Sequence, residues 1–248
     1  MLIDTHCHLN DDAYKSDLDD VVIRMKENNV KAIVVGCDNI SNQEAIRIRN
    51  KYHFPIALGI HPENVYDYDY ASLEKLIMDN NPVAIGEIGL DYYWVKDNKD
   101  LQKKIFEEQV RLASILNLPI IVHSREAFLD TYEILKKYEG KVRGVIHGYS
   151  GSVEMAKNFI SLGFYIGLGG VLTFKNAKQI KETAQEIPLS WILSETDSPY
   201  LTPVPKRGER NEPTNVMYVV DYLAMLRKED REEVQKQLIQ NAKELFRI

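Results

Sequence analysis

Two of the six histidines in this chain stand one residue apart within its first eight positions, in the stretch DTHCH at Asp4 to His8. On an extended strand, residues two apart point the same way, so His6 and His8 share a face and Cys7 takes the opposite one. The pattern recurs further along. His61, Glu87, His123, His147 and Asp197 each stand at the end of a short apolar run, never at its beginning. Imidazole nitrogens and carboxylate oxygens that converge in one place are the donor set of a divalent cation, which offsets the charge of each carboxylate. One ion rarely takes six such ligands. Two ions sharing a bridging carboxylate do.

Such a site needs elements that bring distant segments together. The apolar runs are LIDTH, AIVVG, PIALGIH, PVAIGEIG, PIIVH, RGVIH, FYIGLG and WILSETD, separated by polar segments with helical spacing such as DLDDVVIRMKENN and LQKKIFEEQVRLASILN. Eight strand-like runs alternating with helices over 248 residues fit an α/β fold, a (β/α)8 TIM barrel, read here as one domain over residues 1–248. An open doubly wound sheet needs fewer strands and usually carries a glycine fingerprint after the first, which is missing. In a barrel the C-terminal ends of the strands form one rim. The candidate residues all fall on it. A long Pro-rich, charged loop from Asp197 to Asn215 follows the last run, and the tail reads as two helices that close the outer ring, the second an extra C-terminal helix capped by Asp230.

Composition narrows the class. Cys7 and Cys37 are too few for a disulfide framework, no segment reads as a signal peptide, and no apolar stretch is long enough to cross a bilayer, so a cytoplasmic protein is expected. A formal charge of −6 argues against nonspecific coating of nucleic acid or anionic membrane. No obligatory protein partner is evident.

The stretches DTHCHL, GIHP, GEIGLDYY, PIIVHSRE, HGYSG, ETDSPYLTP and NEP, in this order, resemble the TatD family of metal-dependent hydrolases, within the amidohydrolase-like barrel superfamily. The resemblance runs from Ile3 to beyond Asn211. It implies that His6, His8 and Asp197 hold one metal, His123 and His147 a second, and that Glu87 bridges them. The chain departs from the family in having Gly148 after His147, where a cysteine is common.

With two divalent ions (Mg, Mn, Zn, Ni or Fe), a water is activated at neutral pH and the attacked oxygen is held. Asp197 is expected to take the proton from that water and Glu87 to fix the metal spacing. Two dications against two carboxylates give a net positive pocket, which suits an anionic substrate. The leading expectation is a TatD-type deoxyribonuclease, 3′–5′ exonuclease-like, acting on DNA or a nucleotide phosphodiester. The alternative is hydrolysis of a carboxyl ester, amide or lactone, including aminoacyl-tRNA deacylation; a third is a non-catalytic, metal-dependent nucleic-acid-binding protein. The carbamylated lysine of many amide hydrolases has no counterpart, because Glu87 ends the fourth run.

Other residues carry softer expectations. Arg125, placed at the start of the helix after His123, either forks a phosphate with help from that helix's first N–H groups or pairs with a carboxylate such as Glu126 or Glu195. His61 is expected to touch substrate or leaving group, not metal. Tyr92, Tyr93 and Trp94 read as loop packing ahead of a base platform, and Lys206, Arg207 and Arg210 as a solvated loop face ahead of a path for a nucleic-acid backbone. Glu195 reads as either a ligand-orienting group or a satisfied core carboxylate. Cys7 and Cys37 read as packing thiols, His53 as surface, and the GLGG stretch at Gly167 to Gly170 as a tight turn.

Overall fold

The computed structural model describes residues 1–94 and 96–248. Eight parallel strands run in chain order around one sheet: β1 Leu2–Cys7, β2 Val30–Val35, β3 Ile56–Leu58, β4 Ala84–Asp91, β5 Ile120–Arg125, β6 Gly144–Ile146, β7 Phe164–Leu168 and β8 Ile192–Ser194. Between them lie α1 Leu18–Glu27, α2 Asn39–Tyr52, α3 Tyr70–Asn80, α4 Lys99–Leu116, α5 Phe128–Lys136, α6 Val153–Ser161 and α7 Lys178–Glu186, followed by α8 Val216–Arg227 and α9 Arg231–Phe246. This is the expected (β/α)8 barrel. No helix among the described residues is long and apolar enough to cross a membrane.

Side-chain caps start four of these helices, the one expected at Asp230 among them. Asp38 and Ser41 form a capping box on α2, Asp69 caps α3, Ser152 caps α6, and the Asp230 carboxylate accepts the N–H groups of Glu232 and Glu233 at the start of α9. Asn81 and Asn117 end α3 and α4 in the left-handed conformation that asparagine tolerates.

The barrel interior takes a side chain from every strand, among them Ile3, Ile33, Ala57, Ala84, Ile121, Val145, Tyr165 and Leu193. Ala242, Leu245 and Phe246 of α9 join this cluster beside Met1, Val83 and Trp191, which precede strands. α9 therefore plugs the end where the strands begin and does more than complete the outer ring. That leaves the opposite end open.

Two irregularities decide which side chains reach that open end. Leu2 and Cys7 sit in the same layer between sheet and helices although they are five residues apart, an odd interval that a regular strand would send to opposite faces. A register shift between Asp4 and Cys7 absorbs the difference and turns His6 and His8 inward. β4 repeats the device. Ile85 and Ile88 share the outer layer across a second shift, and Glu87 faces the axis.

The seam between β1 and the end of β8 is held by polar groups. Asp197 N–H donates to His6 O at 2.9 Å and His8 N–H to Ser198 O at 2.8 Å. The buried Asp4 carboxylate accepts from Thr196 N–H at 2.9 Å and Thr196 Oγ1 at 2.5 Å. Burial pushes the Asp4 carboxyl well above its usual range, against the hydrogen bonds from Thr196.

The loop after β8 is tied to α1 by charges. Arg210 forks Asp17 at 2.6 and 2.7 Å and stacks on Tyr14, Arg24 forks Glu212 at 2.7 and 2.9 Å, and Arg207 lies over Phe174. Arg210, half-buried and paired, thus braces the loop and is no free solvated face, whereas Arg207 stays exposed as expected; neither lines the open end of the barrel. Hydrogen bonding to Arg210 holds the Asp17 carboxyl below its usual range. A lowered pKa adds stability that is present above the ordinary aspartate value and fades as pH falls through the lowered one. Asp17→Asn is therefore expected to lower the melting temperature at pH 7 by about 2–4 °C, with the gap to wild type closing below about pH 4. A gap that persists unchanged in thermal melts at pH 3 would assign the loss to something other than this pair.

Candidate metal centre

Glu87 is the hub. Its Oε2 lies 3.4 Å from His6 Nε2 and 3.7 Å from His8 Nε2, and its Oε1 lies 3.1 Å from His123 Nδ1, 3.2 Å from His147 Nε2 and 3.6 Å from His61 Nε2. Asp197 Oδ1 closes the first group, 3.4 Å from His8 Nε2 and 3.8 Å from His6 Nε2. The structure thus brings together all six residues expected to bind metal, from five different strand ends, with His61 beside them. The two oxygens of one carboxylate face two different sets of nitrogens.

Which nitrogen of each ring carries a proton follows from its outer neighbour. His8 Nδ1 faces Val35 O at 3.0 Å and His123 Nε2 faces Asp91 Oδ2 at 2.9 Å, so both outer nitrogens donate, and the inner ones are free to turn a lone pair to a cation once they give up any proton of their own. His147 Nδ1 lies 3.2 Å from Glu195 Oε1 without good hydrogen-bond alignment, and Gly148 N–H takes that same oxygen at 2.5 Å. Its Nε2 again points inward. His6 Nδ1 is buried without a partner, and its ring stacks on His147 with centroids 3.7 Å apart. Lone pairs crowding around two carboxylates repel one another unless protons or cations lie between them. A divalent ion fits this donor set.

His61 differs. Its Nδ1 accepts the N–H of Glu63 at 3.3 Å, which leaves the proton on Nε2, the nitrogen that faces Glu87. Distance alone groups His61 with Glu87 and His123 as a possible metal cluster. Its inner nitrogen is a donor, however, and burial holds its pKa down at about 3, so the ring stays neutral across the physiological range.

The remaining pKa directions follow from the same crowding. Burial raises the Glu87 carboxyl, but the imidazoles of His147, His61, His6 and His123 together hold it well below its usual range. Burial lowers His123, yet Asp91 and Glu87 push it up to about 9; for His147, Glu87 and Glu195 likewise outweigh burial. Burial raises Asp197, and His8, His147 and His6 bring it below the ordinary value.

Several groups that fix this geometry escaped the reading of the sequence. Asp91 orients His123, and it shares a face with Glu87 because the two are four apart on β4. The buried side chains of Gln109 and Asn42 clamp the backbone of Ile60 and Gly59 ahead of His61. Asn211, in the NEP stretch, donates to Thr196 O and Tyr200 O on either side of Asp197. Gly167 lies in β7, where a Cβ would sit 2.4 Å from Glu195 Oε2. It makes room for that carboxylate and is not part of a turn.

Arg125 is the last residue of β5, ahead of a helix that begins only at Phe128, so no helix N-terminus assists it. Its guanidinium stacks over Tyr93 at 4.1 Å and Trp94 at 5.5 Å, and it pairs with neither Glu126 nor Glu195. Cys37 is more than packing: its thiol, kept protonated by burial and by Glu87, donates to Glu87 Oε2 at 3.5 Å. The net positive pocket was counted from two carboxylates alone, whereas the site opens into a cavity of about 600 Å³ whose wall adds Asp11, Asp38, Glu63 and Asp91 to them, with Arg125 the one lysine or arginine among the described lining residues.

A family model described as TatD related DNase matches residues 3–247. The chain belongs to the TatD family of metal-dependent hydrolases. Among TatD relatives, a Bacillus subtilis protein named uncharacterized metal-dependent hydrolase YabD is 44% identical over 254 residues, covering all of both chains. The Escherichia coli K12 protein YcfH, named in the same way, is 38% identical and matches all of this chain and 96% of its own. The crystal structure of the TatD homologue YjjV from E. coli K12 superimposes with a TM-score of 0.91 at 29% identity, covering 100% of this chain and 98% of that one.

Proposed function

We propose that this TatD protein is a divalent-metal-dependent phosphodiesterase acting on DNA ends. One observation carries the reading: the two oxygens of buried Glu87 face separate groups of imidazole nitrogens. On it, His6, His8 and Asp197 would hold one ion and His123 and His147 a second, with Glu87 shared between them. Divalent ions there would supply a water whose pKa falls from 15.7 to roughly 7 and positive charge to offset that on the phosphoryl oxygens. Its identity among magnesium, manganese, zinc, nickel and iron follows supply as much as donor type.

The chain's own residues do the rest. Asp197, held ionised by its histidine neighbours, accepts the proton of the attacking water. His61 presents an N–H to the reacting phosphate or its leaving oxygen. Arg125, the one lysine or arginine among the described residues lining the cavity, forks the non-bridging oxygens. Asp91 and Glu195 hold His123 and His147 in their ring orientations.

Chelation of the purified protein is expected to abolish release of nucleotide from a labelled oligonucleotide, and Mn²⁺ or Mg²⁺ to restore it; cleavage that survives exhaustive chelation contradicts the proposal. His61→Ala should lower kcat by roughly 10²-fold, the cost of one well-placed donor, with metal per protein chain unchanged. Loss of metal in that variant would make His61 a ligand instead.

The acidic wall favours a second reading. Asp11, Asp38 and Glu63 would attract the ammonium of an aminoacyl ester and repel a long polyanion. Parallel assays on an oligonucleotide and on ester, lactone and aminoacyl-ester panels separate the two, and faster turnover of the esters would reverse their order.

A further inference from the structure

Of the thirteen large apolar side chains exposed among the described residues, eight lie between a strand's end and the first turn of the next helix, from Ile40 after β2 to Val204 after β8. That is the face on which the cavity opens. Trp94 is 64% exposed and Tyr93 41%, at the end of β4, and Trp94 lines the cavity. The two rings meet edge to face at 4.7 Å, and the guanidinium of Arg125 from β5 lies over both, 4.1 Å from the Tyr93 ring centre and 5.5 Å from that of Trp94. Its guanidinium lines the cavity and has no hydrogen-bond or ion-pair partner among the described residues, so its N–H groups are free for a ligand while the two aromatic rings hold it in place. An exposed indole would be covered if its role were packing, and an arginine placed for stability would find one of the carboxylates nearby.

We infer that Tyr93, Trp94 and Arg125 form a stacking platform for an unpaired nucleobase, with the base against the open face of Trp94 and a backbone phosphate on the free edge of Arg125. A base can lie there only when it is out of a duplex, so the platform selects single-stranded ends. Because an aromatic face accepts any base, it does so without reading sequence. The inference deepens the phosphodiesterase reading and rests on it for the identity of the polymer. The bound strand enters across the β4 and β5 ends, the side away from Asp11 and Tyr200.

The test uses the two tryptophans, Trp94 and Trp191. In the Trp191→Phe protein, fluorescence reports Trp94 alone; should that variant fold poorly, the difference between wild type and Trp94→Phe gives the same signal. A cleavage-resistant phosphorothioate oligothymidylate should quench it saturably, and an abasic oligonucleotide of equal length and charge should not. Trp94→Ala should reduce the preference in kcat/KM for thymidylate over abasic substrate about tenfold, with Trp94→Phe restoring most of it. Equal quenching by both ligands, no quenching, or an unaltered preference in Trp94→Ala would overturn the platform. Failure to cleave any phosphodiester would instead overturn the phosphodiesterase reading, and the quenching would still decide whether a base stacks on Trp94.

Discussion

Asp197→Asn is expected to lower kcat by about 10²- to 10⁴-fold, the range spanned by positioned general bases, while the protein stays folded. Asp197 sits at a φ of 56°, a left-handed conformation that asparagine shares readily, so the substitution leaves the loop's shape undisturbed. Its N–H to His6 O and the Asp4 to Thr196 bonds just before it do not depend on its side chain. What the amide removes is an anionic oxygen 3.4 Å from His8 Nε2 and the capacity to accept a proton. Release of nucleotide from a labelled strand, with circular dichroism and melting as controls, measures the effect. A folded Asp197→Asn protein that turns over at the wild-type rate would remove Asp197 from the mechanism.

Glu87→Gln is expected to cost about 10³-fold or more in kcat/KM and to reduce bound metal, because it takes the shared anion away from both groups of imidazoles. Glutamine fills the same volume in a residue only 3% exposed, which separates the loss of charge from the loss of packing. The metal-free protein offers a second readout. The raised pKa values of His123 and His147 depend on Glu87 and add stability that is present below about pH 6.5 and lost as pH rises towards 9. The lowered pKa of Glu87 adds stability that is lost only as pH falls below the ordinary glutamate range. After chelation, wild type should therefore exceed Glu87→Gln in melting temperature most clearly near pH 6 and least near pH 9. A gap that widens towards pH 9 would show that the charge balance around Glu87 is wrongly drawn.

The barrel was legible because parallel strands buried on both faces read as apolar runs, and because a charged residue at the end of such a run has only the rim to occupy. His6, Glu87, His123, His147 and Asp197 all announced themselves in that way. The supporting groups did not. An aspartate at a strand end looks the same whether it faces a metal or holds a ring, and for Asp91 only its spacing from Glu87 hinted at the answer. Buried amides such as Asn42, Gln109 and Asn211 bond to backbone, and backbone atoms leave no trace in a sequence. The acidic wall was hidden for a related reason: Asp11, Asp38 and Glu63 come from three separate loops, and only folding sets them around one opening. Arg125 was placed one element too late because the run ending at His123 gives no sign that pairing with β4 continues to Asp91 and Arg125.

The most direct measurement is anomalous diffraction from crystals of the protein grown with Mn²⁺. Two peaks are expected on opposite sides of the Glu87 carboxylate, one within coordination distance of His6, His8 and Asp197, the other of His123 and His147. A map with no peak there, or with manganese held away from Glu87, would contradict it.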